Sequence, residues 1–474
     1  MDKSKELGTQ SIGKLLLKFS IPAIIGMLVN ALYNIVDRIY IGHIGQGVGE
    51  KALAGVGITM PISTIIMAFG MLVGVGSSTL VSIKLGQKNK EDAEKILGLA
   101  VILEIIVSVV ISLLGILFLT PILKVFGANN ENIFYAKEYI AVIIAGAVLQ
   151  NLGFGINNVI RSEGSPKIAM NTMLIGAFLN VILDPIFIFN SITIFGFKFN
   201  IGFGLGIRGA AIATVISSAV SAILVLKHFI NKKSGSVLKL KKSNLKFNKK
   251  LTLEIISIGL SPFAIQLAAS AVSTLYNRGL VEYGGQTAVA AMSIISSIIM
   301  LILMPIFGIN QGAQPILGYN YGAKQYERVK RTLKLAIAAG ITIASIGFII
   351  VQFFPHILFM SFAKDSPELI VLGSRGIRID LMFLPIVGYQ IVASNYFQAV
   401  GKAKISIFLS FLRQVIILIP IILILPKFLG LTGLWLSQPI ADIAAALLTS
   451  YFLYKEMKAM NHLEKLVNNV QEVI

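Results

Sequence analysis

The stretch LAVILEIIVSVVISLLGILFL, from Leu99 to Leu119, contains one charged residue, Glu104. A helix of about 20 mostly apolar residues is long enough to cross the hydrocarbon core of a bilayer. Of the 474 residues in the chain, 55% are hydrophobic and only 13% are charged, and the mean hydropathy is +0.83. Soluble domains carry about 25% charged residues. The composition therefore indicates an integral membrane protein.

Twelve segments along the chain are apolar enough to span a bilayer. They leave no segment for a separate soluble domain, so the sequence predicts an all-α integral membrane protein. Lys and Arg cluster near the N-terminus and in alternate loops, which predicts that both termini are cytoplasmic. We place the spans near residues 14–42, 51–83, 93–120, 131–161, 166–190, 206–230, 251–283, 287–319, 326–360, 367–400, 402–427 and 431–456.

Residues 231–250 form a long polar connection at the midpoint of the chain, and nine lysines lie between Lys227 and Lys250. A net charge of +19 would suggest nucleic-acid binding in a soluble protein. Because these basic residues lie between apolar segments, attraction to anionic lipid is the favoured interpretation. We predict an N-terminal lobe (1–230), a cytoplasmic basic linker (231–250), and a C-terminal lobe with a short cytoplasmic tail (251–474).

The second half of the chain repeats the first in the same order. Asp37-Arg38 follows Pro22 by fifteen residues, and Asn277-Arg278 follows Pro262 by the same interval. Six spans per repeat would insert both halves the same way up, so we predict two six-helix lobes related by a pseudo-two-fold axis along the membrane normal. Further matches pair LGQKNKEDAEKIL (85–97) with YGAKQYERVKRTL (321–333), NVIRSEGSPK (158–167) with NYFQAVGKAK (395–404), and GIRGAAIATVIS (206–217) with GLTGLWLSQPIA (430–441).

Polar residues on the first span are candidates for function, since an ionisable group in the bilayer costs about 2.5–3.5 kcal/mol on insertion scales. Asn30, Asn34 and Asp37 are three and four residues apart and therefore share one helix face. Met27 continues this face by one turn. The pattern predicts a polar lining within the first lobe.

Asn180 and Asp184 share a face of the fifth span, while Thr214 and Asn157 lie on the sixth and fourth spans. If the two acids face one another in a low dielectric, they cannot both stay charged and unpaired. One holds a proton, or a cation lies between them. Carboxylate, amide and hydroxyl oxygens suit a hard cation such as sodium. With Asp37, these residues predict a polar pocket that binds a coupling ion and attracts a cationic substrate.

A purely structural interpretation stays open. Asp37 could pair with Arg38 or Arg278, and the polar pair of the fifth span could cap a helix break at Pro185. The repeat argues against this interpretation, because Asn277 takes the place of Asp37 in the second half. The first-span acid is therefore not needed merely to build a lobe.

Other charges within the spans are predicted to be structural. Glu104 is alone in its span, and Asp380 has Arg378 close by in sequence. Arg413 and Asp442, in the last two spans, are expected to pair.

Several classes of function are disfavoured by missing motifs. The chain has no Cys, and its four His lack metal-binding spacing. No GxxxxGK[ST] loop is present, so the chain carries no ATPase motor of that kind. An intramembrane prenyl transferase would need acidic motifs for magnesium-diphosphate, and DDxxD is absent. We expect neither an enzyme nor a bound cofactor.

The whole chain resembles the multidrug and toxic compound extrusion transporters, and most closely the bacterial branch with the coupling Asp in the first helix. Each matching motif is short, but together and in order they are specific. The resemblance rests on SIPAIIGMLVNALYNIVDRIYIG (20–42), LGQKN (85–89), IRSEGSPK (160–167), LNVILDPIFIF (179–189) and GAAIAT (209–214).

This resemblance implies two six-helix lobes around a central cleft, in a multi-pass protein of the bacterial cytoplasmic membrane. It also implies export of amphipathic, often cationic compounds in exchange for sodium or protons, and we separately expect the protein to work as a monomer. A second-lobe carboxylate pair found in some members is missing, because the seventh span has Gln266 but no embedded acid and the tenth has Gln390 near where the acid would be. The family's cation site falls on Asp37, Asn180, Asp184 and Thr214, and its drug contacts fall on Met27, Asn30, Met60 and Asn157.

The favoured function is a secondary active multidrug efflux antiporter that works by alternating access. A flippase for lipid-linked saccharides, from the same superfamily, is the main alternative. It would favour a cationic groove for diphosphate, whereas the first lobe contains embedded acids. An intramembrane enzyme is a more distant alternative.

Overall fold

The computed structural model describes residues 3–45, 48–130, 132–194, 197–199, 202–231, 233–362 and 366–472. Lys232, in the predicted linker, and Glu131, at the start of the fourth predicted span, lie outside the described residues. Most of the described chain is helical, as predicted.

The first half of the chain contains nine helices among its described residues. A short antiparallel hairpin, β1 (Ile192–Ile194) and β2 (Phe197–Phe199), precedes the last of them. The helices are α1 (Glu6–Thr9), α2 (Ile12–Gly42), α3 (Val48–Gly86), α4 (Lys90–Leu117), α5 (Leu119–Val125), α6 (Ile133–Ala145), α7 (Ala147–Ser162), α8 (Pro166–Ile188) and α9 (Gly206–Ile230).

The second half begins with a very long helix, and a π-helical turn, Leu412–Leu418, lies between two of its later helices. The helices are α10 (Lys249–Gly322), α11 (Tyr326–Phe353), α12 (Pro355–Met360), α13 (Pro367–Asp380), α14 (Leu384–Ala399), α15 (Ala403–Phe411), α16 (Ile419–Ile424) and α17 (Pro426–Glu472).

The twelve predicted spans all have helical counterparts. Among the described residues, nine helices are long and apolar enough to cross a membrane, or ten if the bent pair α6–α7 forms one span. The 74 residues of α10 suffice for two spans, and Gly285 (φ 65°, ψ −164°) separates them. α13 and α14 correspond to the tenth predicted span and are separated by residues 381–383, with Pro385 in the first turn of α14.

A bend of 54° between α6 and α7 was not predicted from sequence. Gly146 lies at the bend, where a methyl group would stand only 2.4 Å from Cγ2 of Val215 on α9. This close approach depends on a residue distant in sequence, so hydropathy gave no signal for it.

The chain divides into two compact units. Unit 1 consists mainly of Ile25–Leu85 and Asn89–Gly259, and unit 2 mainly of Lys5–Ile24 and the chain from Leu260 onward. The beginning of α2 therefore belongs to unit 2, and the beginning of α10 belongs to unit 1. The lobe boundaries at residues 230 and 250 stay a prediction. Aliphatic residues of α3, α5 and α6 form a core in unit 1, including Ile62, Ile66, Leu123, Ile140 and Ile144.

Two buried carboxylates hold part of the linker on unit 1. Glu163, just after α7, accepts hydrogen bonds from the backbone N–H groups of Val237 and Leu238 at 3.0 and 3.1 Å. Glu94, in the second turn of α4, accepts one from the backbone N–H of Lys239 at 3.2 Å. The middle of the linker is therefore a fixed element of unit 1.

The sequence repeat has counterparts in the backbone. α4 and α11 begin at equivalent positions and each contains 28 residues, while α7 and α14 each contain 16. Gly164 and Gly401, equivalent residues after α7 and α14, both have positive φ, 100° and 76°. The repeat thus extends to helix length and to the backbone conformation at helix ends.

Candidate functional site

The acid of α2 is buried although most of its neighbours on the helix are not. Asp37 is 6% exposed, and its Oδ1 has no hydrogen-bond partner among the described residues. Arg38 forms no ion pair with it within the described chain, but donates through Nη2 to Met60 Sδ at 3.5 Å. The structural alternative of an Asp37–Arg38 ion pair is therefore not what this structure shows.

The remaining polar residues of α2 lie on more accessible surface. Asn30 and Asn34 are exposed and Met27 is half-buried. Asn34 donates through Nδ2 to the backbone oxygen of Asn30 at 2.6 Å and to its Oδ1 at 3.4 Å. The Asn34 amide therefore donates to Asn30 and not to Asp37.

The polar residues of α8 and α9 meet each other. Asn180 Nδ2 donates to Asp184 Oδ1 at 3.0 Å and to Thr214 Oγ1 at 3.4 Å. Both α8 residues are buried, with Asn180 1% and Asp184 0% exposed. Gly209, five residues before Thr214, permits the close approach of the two helices, because a methyl group there would stand 2.3 Å from the backbone oxygen of Phe187.

Asp37 and Asp184 lie close enough to interact electrostatically. Three buried oxygens in this region lack hydrogen-bond partners among the described residues: Asp37 Oδ1, Asn180 Oδ1 and Asp184 Oδ2. Unpartnered buried oxygens are rare in folded proteins because each costs about 1–3 kcal/mol. The arrangement suits a proton or a monovalent cation that joins α2, α8 and α9.

In the described part of the chain, no group of three or more His, Cys, Asp or Glu could hold a metal ion. The candidate site itself offers carboxylate, amide and hydroxyl oxygens, which are ligands that hard cations prefer.

Two tyrosines near the acids were not predicted. Tyr33 on α2 and Tyr139 on α6 both interact electrostatically with Asp37 and Asp184. Tyr33 precedes Asn34 directly, so its place in the polar first span could have been noticed. Tyr139 could not have been found, because only the packing of α6 brings it near the acids.

Asn157 is committed to contacts between α7 and α8. Its Nδ2 donates to Thr172 Oγ1 at 2.7 Å and to the backbone oxygen of Ala169 at 2.9 Å, and its Oδ1 accepts from Arg161 at 2.9 Å. Among the described residues, none of these hydrogen bonds connects Asn157 to Asp37 or Asp184. Met60, in contrast, is 45% exposed and contacts Arg38 beside Asp37.

The acids of other spans have separate surroundings. Arg413 donates to Asp442 at 2.7 Å, which confirms the predicted pair. Asp380 accepts a hydrogen bond from the Tyr276 hydroxyl at 3.2 Å, while Arg378 donates to a backbone oxygen of α11.

The profile of the MatE family matches the chain twice, over residues 22–186 and 258–424. The chain belongs to the MatE family. The two matches agree with the predicted repeat, and the resemblance found in the sequence is confirmed at the level of the family.

Relatives of this MatE protein align over nearly its whole length. The multidrug export protein MepA of Staphylococcus haemolyticus (strain JCSC1435) is 26% identical over 444 residues, 94% of each chain. MepA of Staphylococcus aureus (strain MSSA476) is 27% identical over 441 residues, 93% of each chain.

Solved structures share the fold. The MATE multidrug transporter DinF-BH, in complex with the dye rhodamine 6G, is 36% identical, with a TM-score of 0.85 over 94% of this chain and 96% of its own. A MATE crystal structure in the bent conformation has a TM-score of 0.88 and 25% identity over 98% and 99% of the two chains. These likenesses confirm the all-α, two-lobe fold and establish a multi-pass membrane protein.

Proposed function

We propose that this MatE protein is a secondary active efflux antiporter that exports amphipathic, often cationic organic compounds in exchange for sodium or protons. The observation that carries the proposal is the pair Asp37 and Asp184, buried, mutually interacting and each with an unpartnered oxygen. The MepA relatives are multidrug export proteins, and DinF-BH is a multidrug transporter bound to the rhodamine dye. We propose the same class of activity here.

The coupling ion acts by changing the charge of the pocket. With neither ion nor proton bound, two carboxylates give the pocket a negative potential that attracts an organic cation. A proton or sodium at Asp37 and Asp184 removes that attraction and satisfies the unpartnered oxygens. A difference in affinity between conformations is what allows an ion gradient to drive export.

Asn180 and Thr214 orient this pair. The Asn180 amide donates one hydrogen bond to each of Asp184 and Thr214, which leaves its own carbonyl oxygen unpartnered. That oxygen is available to a sodium ion, while the carboxylates could each take a proton. The proposed cation site is thus Asp37, Asn180, Asp184 and Thr214.

The substrate would contact the more accessible residues next to this site. Asn30 and Asn34 offer exposed amides, and Met27 and Met60 offer flexible apolar surface that tolerates ligands of different shape. Asn157 is retained in the proposed substrate region from the family resemblance. We further propose that the protein works as a monomer in the bacterial cytoplasmic membrane, with both termini cytoplasmic. Transport without a catalytic reaction or cofactor is part of the proposal.

The test is efflux of this rhodamine dye from liposomes that contain the purified protein, under a sodium gradient, a proton gradient or neither. Gradient-dependent movement in the wild type, lost in Asp37→Asn, is the expected result and identifies the ion. Glu91→Gln is the matched control, because the Glu91 side chain is 80% exposed. Wild-type transport by Asp37→Asn would overturn the proposed coupling. No dye movement under any gradient would overturn export of this dye class and favour lipid-linked saccharides.

A further inference from the structure

A second buried acid of unit 1 has no role in the site described above. Glu104 on α4 is 0% exposed, and neither of its carboxylate oxygens has a hydrogen-bond partner among the described residues. It packs on Gly155 of α7, where a methyl group would stand only 1.9 Å from Glu104 Oε1. Glycine at this position therefore makes the room that the carboxyl group occupies.

Polar atoms of three helices lie close to this carboxyl group. Ser108, one turn after Glu104, accepts a hydrogen bond from Asn151 Nδ2 at 2.9 Å. The backbone oxygen of Gly70 on α3 lies 3.4 Å from the point where a Gly155 methyl group would be. A methyl group on Gly70 would in turn lie 2.7 Å from Asn151 Oδ1. Glu104, Ser108 and Asn151 thus form a buried polar cluster.

The repeat shows what unit 2 has in the same place. Because α4 matches α11 and α7 matches α14 without gaps, Glu104 corresponds to Gly340 and Gly155 to Val392. These two residues also touch, since a methyl group on Gly340 would stand 2.9 Å from Val392 Cγ2. Unit 2 therefore has the equivalent contact, but its small residue is on α11 and its large residue is on α14, the reverse of the arrangement on α4 and α7.

The other members of the cluster are replaced by small apolar residues. Ser108 corresponds to Ala344 and Asn151 to Gly388, and a methyl group on Gly388 would lie 2.7 Å from Ala344 Cβ. Unit 2 therefore makes these helix contacts without a polar side chain at any of the equivalent positions. Packing in this fold does not require the acid, so its presence in unit 1 needs another explanation.

The chemistry of the site favours a proton as its ligand. A carboxylate deep in a lipid-embedded protein is strongly disfavoured without a counter-charge or hydrogen-bond donors. Glu104 takes part in none of the ion pairs of the described residues. The glycine contacts bring Gly70, Asn151 and Gly155 to this carboxyl group, and none of these three residues titrates. The close contact with Gly155 leaves little room for a coordinated metal cation, whereas a proton needs none.

We propose that Glu104 is a second proton-binding site of unit 1, which holds a proton in this conformation and releases it during the transport cycle. Release breaks the carboxyl O–H bond and passes the proton to water that reaches the cluster in another conformation. The remaining carboxylate then accepts hydrogen bonds from the Asn151 amide and the Ser108 hydroxyl. This proposal rests on the proposed coupled transport and adds a site to it.

Infrared difference spectroscopy on purified protein in lipid tests the proposal without relying on transport. The carbonyl stretch of a neutral carboxylic acid should be present in the wild type and lost in Glu104→Gln. Addition of the rhodamine dye or sodium should diminish this band in the wild type, and the part of the change that belongs to Glu104 is the part that is absent in Glu104→Gln. A wild-type spectrum in Glu104→Gln, or a Glu104 band that neither the dye nor sodium alters, would overturn the proposal.

A double variant separates proton binding from packing. Glu104→Gly with Gly155→Val installs the unit 2 pair in unit 1, so it should fold with a thermal midpoint close to wild type and lack the band. We expect both this variant and Glu104→Gln to lose gradient-driven efflux of the rhodamine dye. Wild-type efflux in both would also refute a role for Glu104 in the cycle. Retained efflux in Asp37→Asn would instead refute the proposed function and leave the spectroscopic result standing.

Discussion

Asn180 donates its side-chain amide to Asp184 Oδ1 at 3.0 Å, one turn along the same helix, while Asn180 Oδ1 and Asp184 Oδ2 have no partner in the described chain. The pair is thus fixed in orientation but incomplete in hydrogen bonding. Replacement of Asn180 by Ala should remove one oxygen ligand and release Asp184 from its orientation.

We expect Asn180→Ala to weaken the apparent affinity for the coupling ion about tenfold, since a buried polar interaction contributes about 1–1.5 kcal/mol. Efflux of the rhodamine dye measured against increasing sodium or proton concentration gives this affinity. Thr214→Val should have a smaller effect, because its hydrogen bond with Asn180 is long at 3.4 Å. An unchanged ion dependence in Asn180→Ala would remove this residue from the proposed site.

Asp37→Asn and Asp184→Asn should each abolish coupled efflux of the rhodamine dye while the protein stays folded. In each variant one acid remains, and it has no second carboxylate with which to share the cation or proton. Because the residues act as a unit, the double variant should be no worse than either single variant. Partial activity in both single variants with an additive loss in the double variant would contradict a shared site.

Gly209→Val should destabilise unit 1 by about 1–3 kcal/mol, the usual effect of an overpacked core. Its first side-chain atom would stand 2.3 Å from the Phe187 backbone oxygen and would push α9 away from α8 near Thr214. Thermal unfolding in detergent measures the effect. Gly57→Ala is the control, because nothing lies within 4 Å of a methyl group there. Equal thermal midpoints for Gly209→Val and Gly57→Ala would show that α8 and α9 can move apart without loss of stability.

Hydropathy and the repeat were enough to predict the spans and the two lobes, because apolar length and order along the chain are local properties. The acids were predicted as candidates because embedded charge is expensive wherever it falls. Tyr139 and the bend at Gly146 depend on contacts between segments distant in sequence, which one sequence does not contain. Glu104 was predicted to be structural, and its buried unpartnered oxygens, together with the apolar residues at the equivalent positions of unit 2, suggest a different role.

Lys88→Gly and Lys324→Gly should each stabilise the protein by about 0.5–1 kcal/mol, because glycine adopts positive φ without the steric penalty of a side chain, although it loses more entropy on folding. Within the described chain these lysines are the non-glycine residues with positive φ, 60° and 58°, and they occupy equivalent positions of the repeat. Thermal unfolding is the measurement.

Lys334→Gly controls for this substitution, because Lys334 lies inside α11 and should lose about 1 kcal/mol instead. Destabilisation by all three changes would contradict the positive φ angles of Lys88 and Lys324.

Glu163→Ala should release the linker from unit 1. Besides the two backbone N–H groups, Glu163 accepts a hydrogen bond from Ser236 Oγ at 2.6 Å and contacts His228 Nε2. Unsatisfied buried donors cost about 1–3 kcal/mol each, so local opening of the linker should rise about tenfold or more. Limited trypsin digestion at the linker lysines reports this opening.

Glu91→Ala is the control for Glu163→Ala, since the Glu91 side chain is 80% exposed and should leave the digestion rate unchanged. Fast linker cleavage with an unchanged overall thermal midpoint is the expected pattern, because the linker opens locally while the packed helices do not. Equal cleavage rates in Glu163→Ala and wild type would mean that other contacts, such as the hydrogen bond from Lys239 to Glu94, are sufficient to hold the linker.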